Sequence, residues 1–277
     1  MSAERKTYLH QRSAVSYLRF GRGATPVVCF HGYGEEAENF TFLEKYAGNQ
    51  FTFLALDLPF HGQTDWQDGL PISVVELLSI VQGILAENGF AAGSRFLLTG
   101  FSLGGRICLS LYEKAPELVE KMVLMAPDGL KVNFWYWLAT QTRAGNRFFR
   151  FTMRKPGWFF GLLKGLNKLG LVNASIFKFV KHYIGDKEVR RLLYIRWTAL
   201  CKLKPHLPMI KKEIRQQQTP VRLLYGRHDR IILSSVGEKF RKGIEEQCSI
   251  TILHSGHQVL HEKHVQEILP ALLPSPQ

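Results

Sequence analysis

The chain contains few cysteines, and they are far apart. Its 277 residues include only four, at Cys29, Cys108, Cys201 and Cys248. Most of them lie inside apolar runs, where a free thiol packs as a small hydrophobic side chain. We therefore expect buried free thiols in a reducing compartment, and neither a disulfide framework nor a metal site.

Long hydrophobic runs are also absent. No stretch of about 18 uninterrupted apolar residues occurs, so no transmembrane helix is predicted. The first six residues are polar and lead into no apolar segment, which argues against a signal peptide. Together with a hydrophobic content of 45%, these absences predict a globular, cytoplasmic protein.

Acidic residues are scarce in one part of the chain. Residues 130–215 hold 19 Lys and Arg but only 3 Asp and Glu, whereas the rest of the chain holds 17 and 20. The formal net charge of +13 therefore belongs to this middle segment. The segment lacks strand patterning and is rich in aromatic residues. We predict an α/β core at residues 1–129 and 216–277, interrupted by a basic helical cap at 130–215.

Outside the middle segment, strand-like and helix-like patterns alternate. Tyr8–Phe20 is predicted as one or two edge strands. Short β-rich runs predict buried strands at Pro26–Phe30, Phe51–Leu56, Phe96–Thr99, Lys121–Ala126, Val221–Tyr225 and Ser249–Leu253. Helical spacing occupies Ile72–Asn88, Leu103–Lys114, about Ser235–Glu246, and the chain from His261 on. Buried strands separated by helices predict a mostly parallel sheet wrapped by helices.

A serine stands at a glycine-rich corner between a strand and a helix. The motif Gly100-Phe101-Ser102-Leu103-Gly104 follows a buried strand and opens a helical pattern, which is the context of a nucleophile elbow. Glycines two residues before and after the serine let the strand and helix approach closely enough to hold a strained turn. The helix N-terminus favours negative charge that develops near the hydroxyl. Ser102 is therefore the candidate nucleophile.

A serine hydroxyl needs a base, and His257 is the candidate. It follows the last predicted strand in a Ser-Gly-His turn, where the elbow geometry needs an imidazole. His254 and His261 are its rivals. His254 ends the strand and His261 starts the final helix, so each has a structural role available.

Two aspartates could orient the histidine. Asp229 lies just past the strand that precedes the histidine turn, and Asp128 ends the strand before that one. We favour Asp229, because the Pro-Asp-Gly setting of Asp128 is explained by turn formation. The order Ser102, Asp229, His257 is the one expected for this architecture.

An oxyanion hole is predicted from two backbone N–H groups. One belongs to Leu103, the residue after the nucleophile, and the other to Tyr33, in the FHGYG loop after the Pro26–Phe30 strand. Each such donor stabilises a transition state by about 3 kcal/mol.

The segments FHGYG, DLPFHGQT, GFSLGG, GRHD and SGHQVLHE together resemble the α/β-hydrolase superfamily, in its cap-bearing branch of esterases, C–C bond hydrolases and perhydrolase-like proteins. The resemblance covers about residues 10–127 and 216–270. It implies an eight-stranded, mostly parallel sheet with an inserted helical cap, and the site roles named above. Relatives usually carry Gly-His-Gly after Asp-x-x, whereas this chain has Asp57-Leu58-Pro59-Phe60-His61-Gly62. We expect Phe60 to reshape the pocket floor and His61 to be structural.

The cap segment suggests a second surface. Helical spacing over residues 157–172 places one apolar face opposite Lys164 and Lys168; the face comprises Trp158, Phe159, Leu162, Leu163, Leu166 and Leu169. The simpler interpretation packs this face on the core. The alternative is docking on an anionic membrane surface, which basic amphipathic helices with aromatics favour. Nucleic-acid binding is disfavoured because no nucleic-acid fold motif accompanies the charge.

The sequence therefore predicts a serine hydrolase that cleaves a lipophilic carboxylic ester through an acyl-enzyme. No cofactor and no metal ion are expected. Serine at the elbow separates the chain from the related haloalkane dehalogenases and epoxide hydrolases, which use aspartate there. Thioester and C–C bond cleavage use the same groups and stay open, as does a non-catalytic ligand receptor or scaffold of the same fold.

Overall fold

A computed structural model describes residues 3–131, 134–168 and 184–273. Its centre is an eight-stranded sheet in the order β1-β2-β4-β3-β5-β6-β7-β8. The strands are β1 (Glu4–His10), β2 (Ser13–Gly21), β3 (Thr25–Phe30), β4 (Phe51–Leu56), β5 (Phe96–Phe101), β6 (Val119–Met125), β7 (Val221–Gly226) and β8 (Cys248–Leu253). Only β2 runs antiparallel to its neighbours, and the other adjacent pairs are parallel. The predicted fold class is confirmed.

The helices fall into three groups in their order along the chain. Those in the first part of the chain are α1 (Leu43–Ala47), α2 (Val74–Glu87) and α3 (Leu103–Lys114). The middle segment contributes α4 (Phe134–Gln141), α5 (Arg143–Arg154), α6 (Gly157–Lys168) and α7 (Lys187–Ala199). The last part contributes α8 (Leu207–Gln217), α9 (Ser234–Arg241) and α10 (Val265–Leu272). Short 3₁₀ helices occupy Ala37–Phe40, Pro116–Leu118 and Glu262–His264.

The central strands are buried on both faces. Every residue of β4 and β5 is buried, which explains their nearly continuous apolar sequences. Helix α2 begins at a capping box, in which the Ser73 hydroxyl accepts from the Glu76 N–H and the Glu76 carboxylate accepts from the Ser73 N–H.

Two helix predictions differ from the structure near the C-terminus. The helix predicted to run to Glu246 ends at Arg241, shortly before Gly243, which has a φ of +82°. The last helix starts at Val265 rather than His261, because His261 caps a 3₁₀ helix that comes first. Both corrections concern helix ends, where the geometry of the adjoining turn determines the last or first helical residue.

The chain divides into two compact units. One comprises residues 1–68, 73–131 and 203–277 and contains the whole sheet. The other comprises residues 69–72 and 132–202 and contains α4 to α7. The predicted division into a core and a cap at 130–215 stays a prediction.

Helix α6 is buried along a narrower stripe than predicted. Leu163 is buried and Phe159 and Leu166 are half-buried, but Trp158 and Leu162 are exposed. The apolar arc on this helix is about 140° wide at 100° per residue, and one edge of it stays in solvent. The expectation that the whole face packs inward is therefore wrong; Leu169 lies outside the described residues.

Candidate active site

Ser102 sits on a strained turn between β5 and α3. Its backbone φ is +49°, a left-handed conformation that costs a non-glycine residue about 1–3 kcal/mol. Three backbone hydrogen bonds hold the turn: the Ser102 N–H donates to the Met125 carbonyl at 2.9 Å, and the Ser102 carbonyl accepts from Gly105 at 2.9 Å and Asp128 at 2.8 Å. Both the N–H and the carbonyl of Ser102 are therefore fixed by hydrogen bonds.

The glycines of the motif are required by close packing. A Cβ on Gly104 would lie 1.9 Å from the Phe30 carbonyl oxygen, and one on Gly100 would lie 2.5 Å from the Gly104 backbone. No side chain fits in either space. The strand and helix therefore approach as closely as the sequence motif predicts.

Ser102, His257 and Asp229 form one hydrogen-bonded chain. The imidazole Nε2 lies 3.1 Å from the Ser102 Oγ, and the Nδ1 lies 2.7 Å from the Asp229 Oδ2. An ionised carboxylate only accepts hydrogen bonds, so the imidazole Nδ1–H donates to it. The imidazole Nε2 is then free of its proton and accepts from the serine hydroxyl, which is the arrangement a general base needs.

Asp229 is held on its other oxygen as well. Its Oδ1 accepts from the backbone N–H groups of Ile231 at 2.7 Å and Ile232 at 3.0 Å. The side chain is fully buried, whereas that of His257 is one-fifth exposed. Both carboxylate oxygens thus accept hydrogen bonds, Oδ1 from the loop backbone and Oδ2 from the imidazole.

The alternative residues have other partners. Asp128 pairs with Arg106 at 2.7 Å and accepts from the Gly129 N–H. The His254 Nε2 lies 3.4 Å from the His228 Nε2. The His261 Nδ1 accepts from the Lys263 N–H at the start of a 3₁₀ helix. None of these contacts links the alternative side chains to the hydrogen bonds that join Ser102, His257 and Asp229.

The loop after β3 packs against the elbow. Phe30 pairs with Gly100 across the parallel β3–β5 ladder, so the loop that contains Tyr33 begins beside the strand that carries the serine. A Cβ on Gly32 would lie 2.9 Å from the Phe101 ring. Leu103 is the first residue of α3, and an N–H at that position has no carbonyl partner within its helix.

Two buried residues support this loop, and the sequence motifs alone give them no role. His31 is fully buried; its Nε2 accepts from the Leu58 N–H at 3.1 Å, so its Nδ1 carries the proton and donates to the Gly32 carbonyl at 2.7 Å. Asp57, also fully buried, accepts from the Ala37 N–H and pairs with the Arg5 guanidinium at 2.7 Å. The motifs FHGYG and DLPFHG show that a histidine and an aspartate occur at positions 31 and 57, but they do not show which groups these side chains bind.

The bulky residue Phe60, in the loop after β4, has a backbone conformation that favours glycine. Phe60 takes a φ of +64°, and the His61 Nδ1 donates to the Pro59 carbonyl at 3.0 Å. His61 is buried, as expected for a structural side chain.

Within the described part of the chain, no group of three or more His, Cys, Asp or Glu could hold a metal ion. The four cysteines are free thiols, of which Cys201 is half-buried and the other three are buried.

Comparison with known families now identifies the architecture. A family model described as the alpha/beta hydrolase fold matches residues 25–264. The chain belongs to the alpha/beta hydrolase fold family. This coarse function, a hydrolase of this fold, agrees with the sequence prediction.

The chain is similar to several individual proteins. The chain is 23% identical over 245 residues to the uncharacterized hydrolase YugF of Bacillus subtilis, covering 87% of this chain and 86% of that one. It is 35% identical over 115 residues to an esterase of Mycobacterium tuberculosis, covering 42% and 37%. The solved structure of a 2-hydroxy-6-oxo-6-phenylhexa-2,4-dienoate hydrolase from a Rhodococcus strain is similar with a TM-score of 0.64 and 20% identity, covering 97% and 98%. At that identity the structural likeness shows the fold alone.

Proposed function

We propose that this alpha/beta hydrolase cleaves a lipophilic carboxylic ester through an acyl-enzyme, with Ser102 as nucleophile, His257 as general base and Asp229 as the orienting acid. The observation that supports it is the unbroken hydrogen-bonded chain from Asp229 through His257 to Ser102. The esterase among the relatives supports the choice of an ester substrate.

In the first half of the reaction, the Ser102 Oγ attacks the ester carbonyl carbon while its proton moves to the His257 Nε2. The carbonyl oxygen becomes an oxyanion, which accepts from the N–H groups of Leu103 and Tyr33. Asp229 stabilises the charged imidazolium through the Nδ1–H. The tetrahedral intermediate then collapses, and the imidazolium gives its proton to the departing alkoxide oxygen, so that an alcohol leaves and the acyl group stays on the serine.

In the second half, a water molecule repeats the attack. His257 takes the proton of the water, the hydroxide adds to the acyl carbon, and the proton returns to the Ser102 Oγ as the carboxylic acid leaves. No redox change occurs, and the net reaction consumes one water molecule.

Labelling with a fluorophosphonate probe tests this proposal. The wild-type protein should be labelled on Ser102, and Ser102→Ala should not be labelled at all. A wild-type protein that resists the probe but still binds an ester would instead be a receptor on the same fold. Turnover of p-nitrophenyl esters against matched thioesters then decides the bond type, and faster turnover of longer acyl chains supports a lipophilic substrate.

A further inference from the structure

Helix α5 carries four arginines along one side. Arg143, Arg147, Arg150 and Arg154 are all exposed, and their spacing of four, three and four residues confines them to an arc of about 60° at 100° per residue. The opposite side of the helix faces inward, where the Phe149 ring contacts Tyr194 and Trp197 with centroids 5.5 Å and 5.4 Å apart. The arginine stripe therefore lies on the surface of the unit.

These arginines have no acidic partner among the described residues. Residues 132–202 contain only two carboxylates, and both are engaged on α7. Asp186 caps the helix by accepting from the Glu188 and Val189 N–H groups, and Glu188 binds Arg191 at 2.6 Å. Arginines four residues apart on one helix repel each other. An external anionic surface would relieve that repulsion.

Exposed apolar side chains adjoin the arginine stripe. Phe151 and Phe148 lie on one flank of α5, about 40° and 100° beyond the edge of the arginine arc at 100° per residue, and are 49% and 57% exposed. The Phe148 ring lies 5.2 Å from the Trp158 ring of α6, and one turn further along α6 Leu162 is 51% exposed. Large apolar side chains that cluster in solvent beside unpaired cations mark an interaction surface.

We propose that α5 and α6 dock the protein on an anionic lipid bilayer, with the arginines at the phosphate groups and Phe148, Phe151, Trp158 and Leu162 in the headgroup–acyl boundary. Basic helices with one aromatic and aliphatic side bind such surfaces in the plane of the interface. A nucleic acid would pair with the arginines but would make no favourable contact with the aliphatic Leu162. A second copy of the chain would bring two arginine stripes together, and their like charges would repel. The described residues contain no helix long and apolar enough to cross a bilayer.

Vesicle sedimentation tests the charge requirement. The full chain should pellet with phosphatidylcholine vesicles that contain about one-third phosphatidylserine, and stay in the supernatant with pure phosphatidylcholine. Each arginine near such a surface contributes about a fivefold gain in binding, so Arg147→Gln with Arg150→Gln should weaken it about 25-fold. The matched control, Lys239→Gln with Lys242→Gln, removes the same charge from an exposed region of the sheet unit and should change binding by less than about twofold.

A second pair of variants tests insertion. Phe148→Ser with Phe151→Ser should weaken binding to the anionic vesicles at least as much as the arginine pair does. The control Leu9→Ser removes an exposed apolar residue on β1 and should leave it unchanged. Brominated lipid should quench tryptophan fluorescence, and Trp158→Phe should reduce that quenching. Ser102→Ala should bind like the wild type, because docking is independent of the proposed reaction.

Three results would overturn the proposal. The first is equal binding to neutral and anionic vesicles. The second is an effect of the arginine pair with none from the aromatic pair, which would mean charge attraction without insertion. The third is tight binding to an RNA polyanion with no binding to vesicles.

Discussion

Replacing Asp229 by asparagine would invert the hydrogen bonding of the proposed triad while preserving its shape. The two backbone N–H groups at Ile231 and Ile232 require an acceptor at the Oδ1 position, so the amide oxygen of an asparagine must point there. Its NH₂ group is then directed at the His257 Nδ1, 2.7 Å from the position of the present Oδ2. A donor in that position forces the Nδ1 to accept and moves the imidazole proton to the Nε2.

With its proton on the Nε2, His257 donates to the Ser102 hydroxyl and no longer accepts from it. The base is lost although every heavy atom stays in place. A reversed tautomer of this kind lowers kcat by about 10⁴-fold, which corresponds to about 5.5 kcal/mol of lost transition-state stabilisation. The rate of fluorophosphonate labelling at Ser102 should fall in parallel, because it depends on the same proton transfer.

The assay compares kcat for a p-nitrophenyl ester, the rate of labelling and the thermal midpoint in the wild type, Asp229→Asn and Asp128→Asn. Asp128 pairs with Arg106, so its substitution should change kcat by less than about threefold and serves as the matched control. The reasoning is refuted if Asp229→Asn keeps more than about one-tenth of wild-type kcat, or if Asp128→Asn loses as much activity as Asp229→Asn.

Three further predictions concern stability. Gly104→Ala would place a Cβ 1.9 Å from a carbonyl oxygen of β3 and should lower the free energy of unfolding by about 3 kcal/mol. Gly161 has open space around it within α6, so Gly161→Ala should raise the free energy of unfolding by about 0.5–1 kcal/mol. Thermal denaturation of the two variants measures both changes. Asp57→Asn removes a buried charge from its arginine partner and should cost about 3 kcal/mol in urea unfolding. Burial raises the pKa of the Cys29 and Cys108 thiols above the ordinary 9.0, so at alkaline pH the folded state keeps protons that the unfolded chain releases. Urea unfolding should therefore show stability declining above about pH 9, with a smaller slope in Cys108→Ala.

Much of the sheet could be predicted because its strands are buried on both faces. Phe51–Leu56 and Leu103–Lys114 have the predicted bounds, since an unbroken β-rich run and a helix that opens at a glycine corner are signals contained within a few residues. The grouping of Ser102, Asp229 and His257 was also predictable, because their order along the chain follows from the topology. Their catalytic roles stay predictions until the labelling and kinetic tests are made.

The supporting contacts could not be predicted, because they join residues that are distant along the chain. The pairing of Arg5 with Asp57 depends on how β1, β2 and β4 lie side by side, and no local pattern encodes that register. The exposed edge of α6 was missed for a related reason. Helical spacing shows that Trp158 and Leu162 share a face, but it does not show whether anything covers that face.

The insertion between β6 and β7 has a consequence for folding kinetics. Met122 pairs with Val221 in the parallel ladder, so about 100 residues of chain must close into a loop before these strands can meet. Loop-closure entropy grows only logarithmically, and lengthening such a connection tenfold costs about 2 kcal/mol. A large inserted segment is thus cheap at equilibrium, yet it slows the search for the native pairing, because distant contacts form late. We expect the pairing of β6 with β7 to be among the last parts of the sheet to form.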